Sequence, residues 1–194
     1  MKKTKLLCTA LSIFTLSASM NAFAGNRTGA FYVTLGDSYI HFDSKRHLNN
    51  TGAPLIRLGY DFNDRWAAQL GLTVINTTKS NQSGDNSVHG FIYAIDGVYR
   101  MMPHGRLEPY AFAGLGVIGL KPSGIDPINQ AHAEVGIGAQ YFIADSIALG
   151  ADAKDLYTFS GGKNDVQLSA NISFLFGGNA ALDEAKAAEG VWKK

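Results

Sequence analysis

The chain has 194 residues, a length that suits one domain once a targeting segment is set aside. Its formal net charge is +1 and its basic residues are scattered, which excludes the clustered basic surface of a nucleic-acid binder. A single cysteine, Cys8, excludes a disulfide framework and a thiolate metal site.

The first predicted element is an export signal. Lys2, Lys3 and Lys5 precede an apolar run from Leu6 to Met20, and Ala22-Phe23-Ala24 supplies the small-x-small pattern of a cleavage site. The run is broken by Thr9, Ser12, Thr15, Ser17 and Ser19, and a spanning helix would need roughly 20 apolar residues. Residues 1–24 are therefore expected to be a cleaved signal peptide, with the cut between Ala24 and Gly25. Cys8 lies inside the run rather than after it, so it is no lipid-attachment site. Losing Lys2, Lys3 and Lys5 from 17 Lys and Arg leaves fourteen, against 16 Asp and Glu, so the exported part is near neutral.

From Gly25 onward the hydrophobic period is two. Strands are predicted near 29–37, 54–62, 66–76, 88–101, 107–119, 131–143, 146–158 and 166–177. The clearest alternation runs from Trp66 to Ile75, where Trp66, Ala68, Leu70, Leu72 and Val74 share one face. Val166 to Phe176 repeats it, with Val166, Leu168, Ala170, Ile172, Phe174 and Phe176 opposed to Gln167, Ser169, Asn171 and Ser173. For 107–119 the outward face stays open, because Tyr110 and Phe112 compete with Ala111, Ala113, Leu115 and Val117. Long polar connections at 38–53, 77–87, 120–130 and 159–165 alternate with short turns at Asn63-Asp64-Arg65, Met102 to Arg106 and Ala144-Asp145. An even strand number, with long loops on one side and tight turns on the other, predicts an all-β, eight-stranded antiparallel transmembrane barrel over residues 25–178. Only closure satisfies every backbone group in lipid. Residues 179–194 are expected to be a short periplasmic tail, with helical propensity over 180–188.

Tyr60, Phe62, Trp66, Tyr99, Tyr110, Tyr141 and Phe176 lie near the short-turn ends and are expected to form an interfacial aromatic girdle. A charge facing lipid at the midplane costs about 2–4 kcal/mol, so strand charges should point inward. Alternation assigns Arg57, Asp61, Asp96, Arg100, Glu134, Asp152 and Lys154 to the lumen. A hairpin centred on Ala144 would put Glu134 across from Lys154, with Asp152 diagonal to Glu134. Gly59, Gly71, Gly90, Gly136, Gly138 and Gly150 either leave lumenal room for water or relieve crowding.

Two motifs compete with this reading and fail. Gly114-x-Gly116-x-x-Gly119 matches a dinucleotide fingerprint in form, but Lys121-Pro122-Ser123-Gly124 follows where a helix must open. His132 and Glu134 share a face and could pair as base and orienting acid, yet that strand offers no serine nucleophile. His41, His47 and His89 read as loop or rim residues, and the Asn-x-Ser/Thr triplets at Asn49, Asn76 and Asn81 as loop residues.

Leu58-Gly59-Tyr60-Asp61-Phe62-Asn63-Asp64-Arg65-Trp66, Tyr93 to Tyr99, Glu108-Pro109-Tyr110 leading to Gly114-Leu115-Gly116, and Gly136 to Phe142 with Ile147 to Lys154 occur in that order. With the closing Ile172 to Gly178, this arrangement resembles the N-terminal barrel domain of the OmpA/OprF family of outer-membrane proteins. The resemblance implies an outer-membrane location and a lumenal ion-pair network. The family often carries arginine on the seventh strand where this chain has Lys154, which disfavours a bidentate pair there. The peptidoglycan-binding domain common in the family has no counterpart in 179–194, so cell-wall anchoring is not expected.

The leading expectation is a monomeric, non-enzymatic barrel without cofactor or metal, contributing to envelope integrity or surface contact and conducting little. Its surroundings would be outer-membrane lipid and lipopolysaccharide, and a surface ligand would meet loops 38–53 and 77–87. The competing readings are a porin-like channel, a lipid A-modifying enzyme and a conduit for hydrophobic molecules.

Overall fold

A computed structural model describes residues 27–80, 87–103, 106–124 and 126–178. The signal segment, the tail, its expected helix and Asn81 lie outside the described residues.

The strands are β1 (Ala30–His41), β2 (Thr51–Asp61), β3 (Trp66–Thr78), β4 (Ser87–Arg100), β5 (Leu107–Pro122), β6 (Ile128–Ala144), β7 (Ile147–Thr158) and β8 (Lys163–Gly177). Each pairs antiparallel with its sequence neighbours, and β1 pairs with β8 to close the barrel. A short 3-10 turn, Ser44–Arg46, is the one helical piece among the described residues.

The strands run several residues further toward the loop end than expected. The connections there contract from 38–53 to 42–50, from 120–130 to 123–127 and from 159–165 to 159–162. Polar residues at the strand ends keep their ladder partners, as Asn76↔His89 and His89↔Lys121 show. Asn76 is therefore a strand residue and not a loop one.

At the other end the last turn is Asp145-Ser146, because Ala144 still pairs with Ile147. The turn lies beyond Ala144, and after a one-residue irregularity between Phe142 and Ala144 the rest of the β6–β7 ladder stands two residues from the expected hairpin. Glu134 stands opposite Leu156, and Lys154 opposite Gly136.

The outer wall is apolar through the middle of the barrel. Leu58, Leu70, Ile95, Leu115, Val135, Ile137, Leu149 and Leu168 are all exposed. The glycine fingerprint on β5 is continuous strand, with Gly114, Gly116 and Gly119 paired to β4 and β6.

Candidate functional site: the barrel interior and its loop-end seal

Alternation turns one face of each strand inward, and the interior falls into three layers. At the turn end, Arg27 reaches Glu108 at 3.0 Å, and Arg100 reaches Asp61 at 2.7 Å and Glu108 at 3.9 Å. Gln140 donates to Glu108 at 3.0 Å. The Arg27 guanidinium lies over the Phe142 ring, 4.2 Å from its centroid.

The middle layer holds two ion pairs. Arg57 grips Asp152 in a bidentate pair of 2.7 and 2.9 Å. Ser169, Tyr110 and Asn171 also donate to Asp152 at 2.5, 3.1 and 3.0 Å. Lys154 donates to both oxygens of Glu134, at 2.8 and 3.0 Å, reaching diagonally across the shifted ladder. His132 Nε2 meets Glu134 at 3.0 Å from the other side, and Asp96, bonded by Gln69 at 2.9 Å, completes the cluster. Asp152 thus stands opposite Gly138, not diagonal to Glu134 as expected, and partners Arg57 on β2. The bidentate contact belongs to arginine, whose planar fork matches a carboxylate as an ammonium cannot.

Aromatic rings fill the space between these pairs. Gly59, Gly136 and Gly138 sit beneath Tyr32, Phe112 and Tyr110, and a Cβ at any of the three would overlap the ring. Of the two roles open to the lumenal glycines, these three take the relief of crowding. The same packing decides the face of β5: Glu108, Tyr110 and Phe112 are buried while Leu115 and Val117 face out. Tyr110 therefore leaves the expected girdle for the lumen, where its hydroxyl bonds Asp152. Tyr60, Phe62, Trp66, Tyr141 and Phe176 are exposed on the outer wall, and Tyr99 is half-buried there against Trp66, with centroids 4.9 Å apart. A second outer group near the loop end, Tyr39, Phe91, Tyr93, Tyr157 and Phe159, went unread in the sequence.

The third layer is the loop-end seal. Ile40, Phe42, Ala53, Ile75, Ile92, Ile118 and Leu156 form one buried apolar cluster, with Leu48 and Leu120 packed on it. The segment 42–50 folds over this cluster and is latched by Arg46, which bonds both oxygens of Asp165 (2.8 and 2.7 Å), Gln130 (3.0 Å) and Thr158 (2.6 Å). Asp43 accepts the backbone N–H of Asn164 at 2.9 Å and of Lys45 at 2.8 Å, and these bonds hold its carboxyl below the usual carboxylate range. Arg46 and Asp165 lie in predicted loop segments, so no strand alternation pointed to them.

His132 is buried at 1% exposure, and its Nδ1 has no hydrogen-bond partner among the described residues. His41 and His89 bond Asn50 and Asn76 at the rim, and His47 takes a left-handed conformation with φ 52°. No group of His, Cys, Asp and Glu suited to a metal ion occurs among the described residues.

A closed sheet with an apolar, aromatic-edged outer wall around a charged, internally paired interior defines a transmembrane β-barrel. The chain belongs to the family described as outer membrane protein beta-barrel domain, whose model matches residues 8–176. It is 26% identical over 145 residues to outer membrane porin F of Pseudomonas fluorescens, a match covering 71% of this chain and 44% of that protein. The chain thus spans less than half the length of that relative.

Three solved structures share the fold. The N-terminal barrel of Pseudomonas aeruginosa OprF has TM-score 0.58 and 17% identity over 77% of this chain and 99% of that one. Neisserial surface protein A has TM-score 0.61 and 18% identity over 76% and 99%. The attachment invasion locus protein Ail of Yersinia pestis, solved with the heparin analogue sucrose octasulfate, has TM-score 0.52 and 18% identity over 77% and 99%. The OmpA/OprF-type resemblance is borne out, and the family places the chain in the outer membrane.

Proposed function

We propose that the protein is a sealed, non-enzymatic barrel that supports the envelope and presents its loop end to the cell's surroundings, with its turn end in the periplasm. The observation that carries this reading is the filling of the lumen. The space among Arg27, Tyr32, Arg57, Arg100 and Tyr110 that a water molecule can occupy is about 20 Å³, room for one water. Above it, the apolar cluster and the Arg46 latch close the mouth. A solute would have to displace both layers.

A catalytic reading of His132 and Glu134 meets the same obstacle, since both are buried inside the wall where no lipid headgroup reaches them. The apolar outer wall suits a monomer surrounded by lipid and lipopolysaccharide. The test is swelling of protein-loaded vesicles in arabinose. Swelling at the rate of protein-free vesicles is expected, and size-dependent swelling in a sugar series would instead establish a porin. Lipid A mass spectra should be unchanged by expression, and a new acylation pattern would establish an enzyme.

A further inference from the structure

Over the seal lies a crevice of about 320 Å³ lined by Lys45, Arg46, His47, Lys79 and Lys163, with Leu120, Pro122 and Ile128 among its apolar walls. Among the described residues no carboxylate lines it. Two acids beside it are turned elsewhere: Asp165 onto Arg46, and Asp43 onto the backbone of Lys45 and Asn164. Arg46 is thereby neutralised, which leaves three ammonium groups and an imidazole around one opening.

The walls are built rather than loose. Lys45 Nζ donates to the Gly162 carbonyl at 2.9 Å, and Lys163 Nζ donates to the Ser160 carbonyl at 3.0 Å. The Ser80 N–H bonds the His47 carbonyl at 2.8 Å, the Asn49 N–H bonds the Thr78 carbonyl at 2.9 Å, and Leu48 bridges Lys79. These bonds stitch the 42–50 segment to the end of β3. Leu48 and Leu120 belong both to the crevice lining and to the roof of the apolar seal, so the floor is fixed by the barrel itself.

We propose that this crevice binds a saccharide bearing clustered sulfate or phosphate groups. The inference rests on the reading of the loop end as the outward, contact-making face. Three separated ammonium groups suit several anionic groups on one scaffold better than a single small anion. Lysines act as point charges without the planar demand of arginine, and apolar walls accept the C–H faces of sugar rings. Two sources carry this chemistry: sulfated glycans outside the cell and the phosphorylated core sugars of lipopolysaccharide.

The experiment titrates nanodisc-embedded protein with sulfated dextran oligosaccharide, with neutral dextran of equal length, and with deacylated phosphorylated core oligosaccharide. Binding of an anionic probe and none of neutral dextran is expected, and the tighter of the two anionic probes identifies the source. K45Q, K79Q and K163Q should each weaken binding roughly two- to fivefold, as exposed ion pairs do, and the triple variant by about tenfold or more. K121Q removes the same charge from β5 outside the crevice and should leave binding unchanged. Equal weakening by K121Q, equal binding of neutral dextran or no binding at all would overturn the proposal. Each variant is first checked for the heat-dependent gel shift of a closed barrel, and if the triple variant lacks it the single variants carry the test. If no anionic saccharide binds while vesicles stay impermeable, the ligand assignment falls and the sealed barrel stands. If vesicles swell, the sealed barrel falls whatever the titration gives.

Discussion

The middle of the barrel and its loop end are built from the same strands with opposite polarity. In the middle, Leu70, Ile95, Leu115 and Leu149 face out while Gln69, Asp96, Asp152 and Lys154 face in. Toward the loop end the inner face of the same strands turns apolar, with Ile75, Val88, Ile118 and Leu156 buried, and past the outer aromatic group the exposed residues are polar, as Asn76, His89 and Lys121 are. Both halves obey one rule, that apolar surface leaves water. What changes is the medium outside, lipid around the middle and water around the loop end. The first half must therefore satisfy charges inside, and the second has an aliphatic core like that of a soluble barrel.

The largest effect expected from breaking this contrast lies in the middle. Arg57→Met leaves Asp152 its three neutral donors but no countercharge in a lumen where that side chain has no exposure, and breaking such a pair typically costs about 3–5 kcal/mol. Urea unfolding from short-chain phosphatidylcholine vesicles should show it, and adding Asp152→Asn should restore part of the loss. An unchanged midpoint for the single variant would mean that water reaches the pair.

At the loop end the corresponding loss is one of packing. Leu156→Ala, at 1% exposure, should cost roughly 2–4 kcal/mol, whereas lipid-facing Leu149→Ala should cost less in the same assay. Equal costs at the two sites would contradict the inversion.

Arg46→Gln removes the charged end of the latch, a set of bonds worth about 1–3 kcal/mol. Its effect should be local. Amide exchange at Asn164 should accelerate while the middle of β7 keeps its protection, and uniform acceleration would show that the seal is not a separate unit.

The smallest effect concerns Asp43. Because its carboxyl is held below its unfolded value by the N–H groups of Asn164 and Lys45, its contribution is present above about pH 4 and lost as pH falls through the depressed folded value. The amide resonances of Asn164 and Lys45 should shift in acid and stay still in Asp43→Asn. Persistent titration in that variant would assign the shift to another group.

This inversion also explains what could be read from the chain. Alternation located all eight strands and put the seven named charges on the inner face, because lipid leaves them nowhere else to point. It stopped short at the loop end, since the apolar-out pattern that marks a membrane strand ends before the strand does, at residues such as Ile40 and Ile118. Partners were less legible than faces. The β6–β7 ladder shift decides that Lys154 meets Glu134 diagonally, and barrel closure brings Arg57 on β2 to Asp152 on β7, neither of which a local period encodes. Tyr110 was misplaced because two aromatic residues facing inward look, in sequence, like a lipid-facing pair. The Arg46–Asp165 latch joins the β1–β2 connection to the start of β8, far apart in the chain, and had no signal at all.

Single-channel recording in planar bilayers tests the sealed lumen most directly. Wild-type protein should give no stable conductance steps above the bare membrane, and Arg46→Gln should give at most brief flickers while the middle layer stays paired. Long-lived open steps in the wild type, altered in size by Lys154→Glu, would contradict a lumen closed by its ion pairs and its apolar cap.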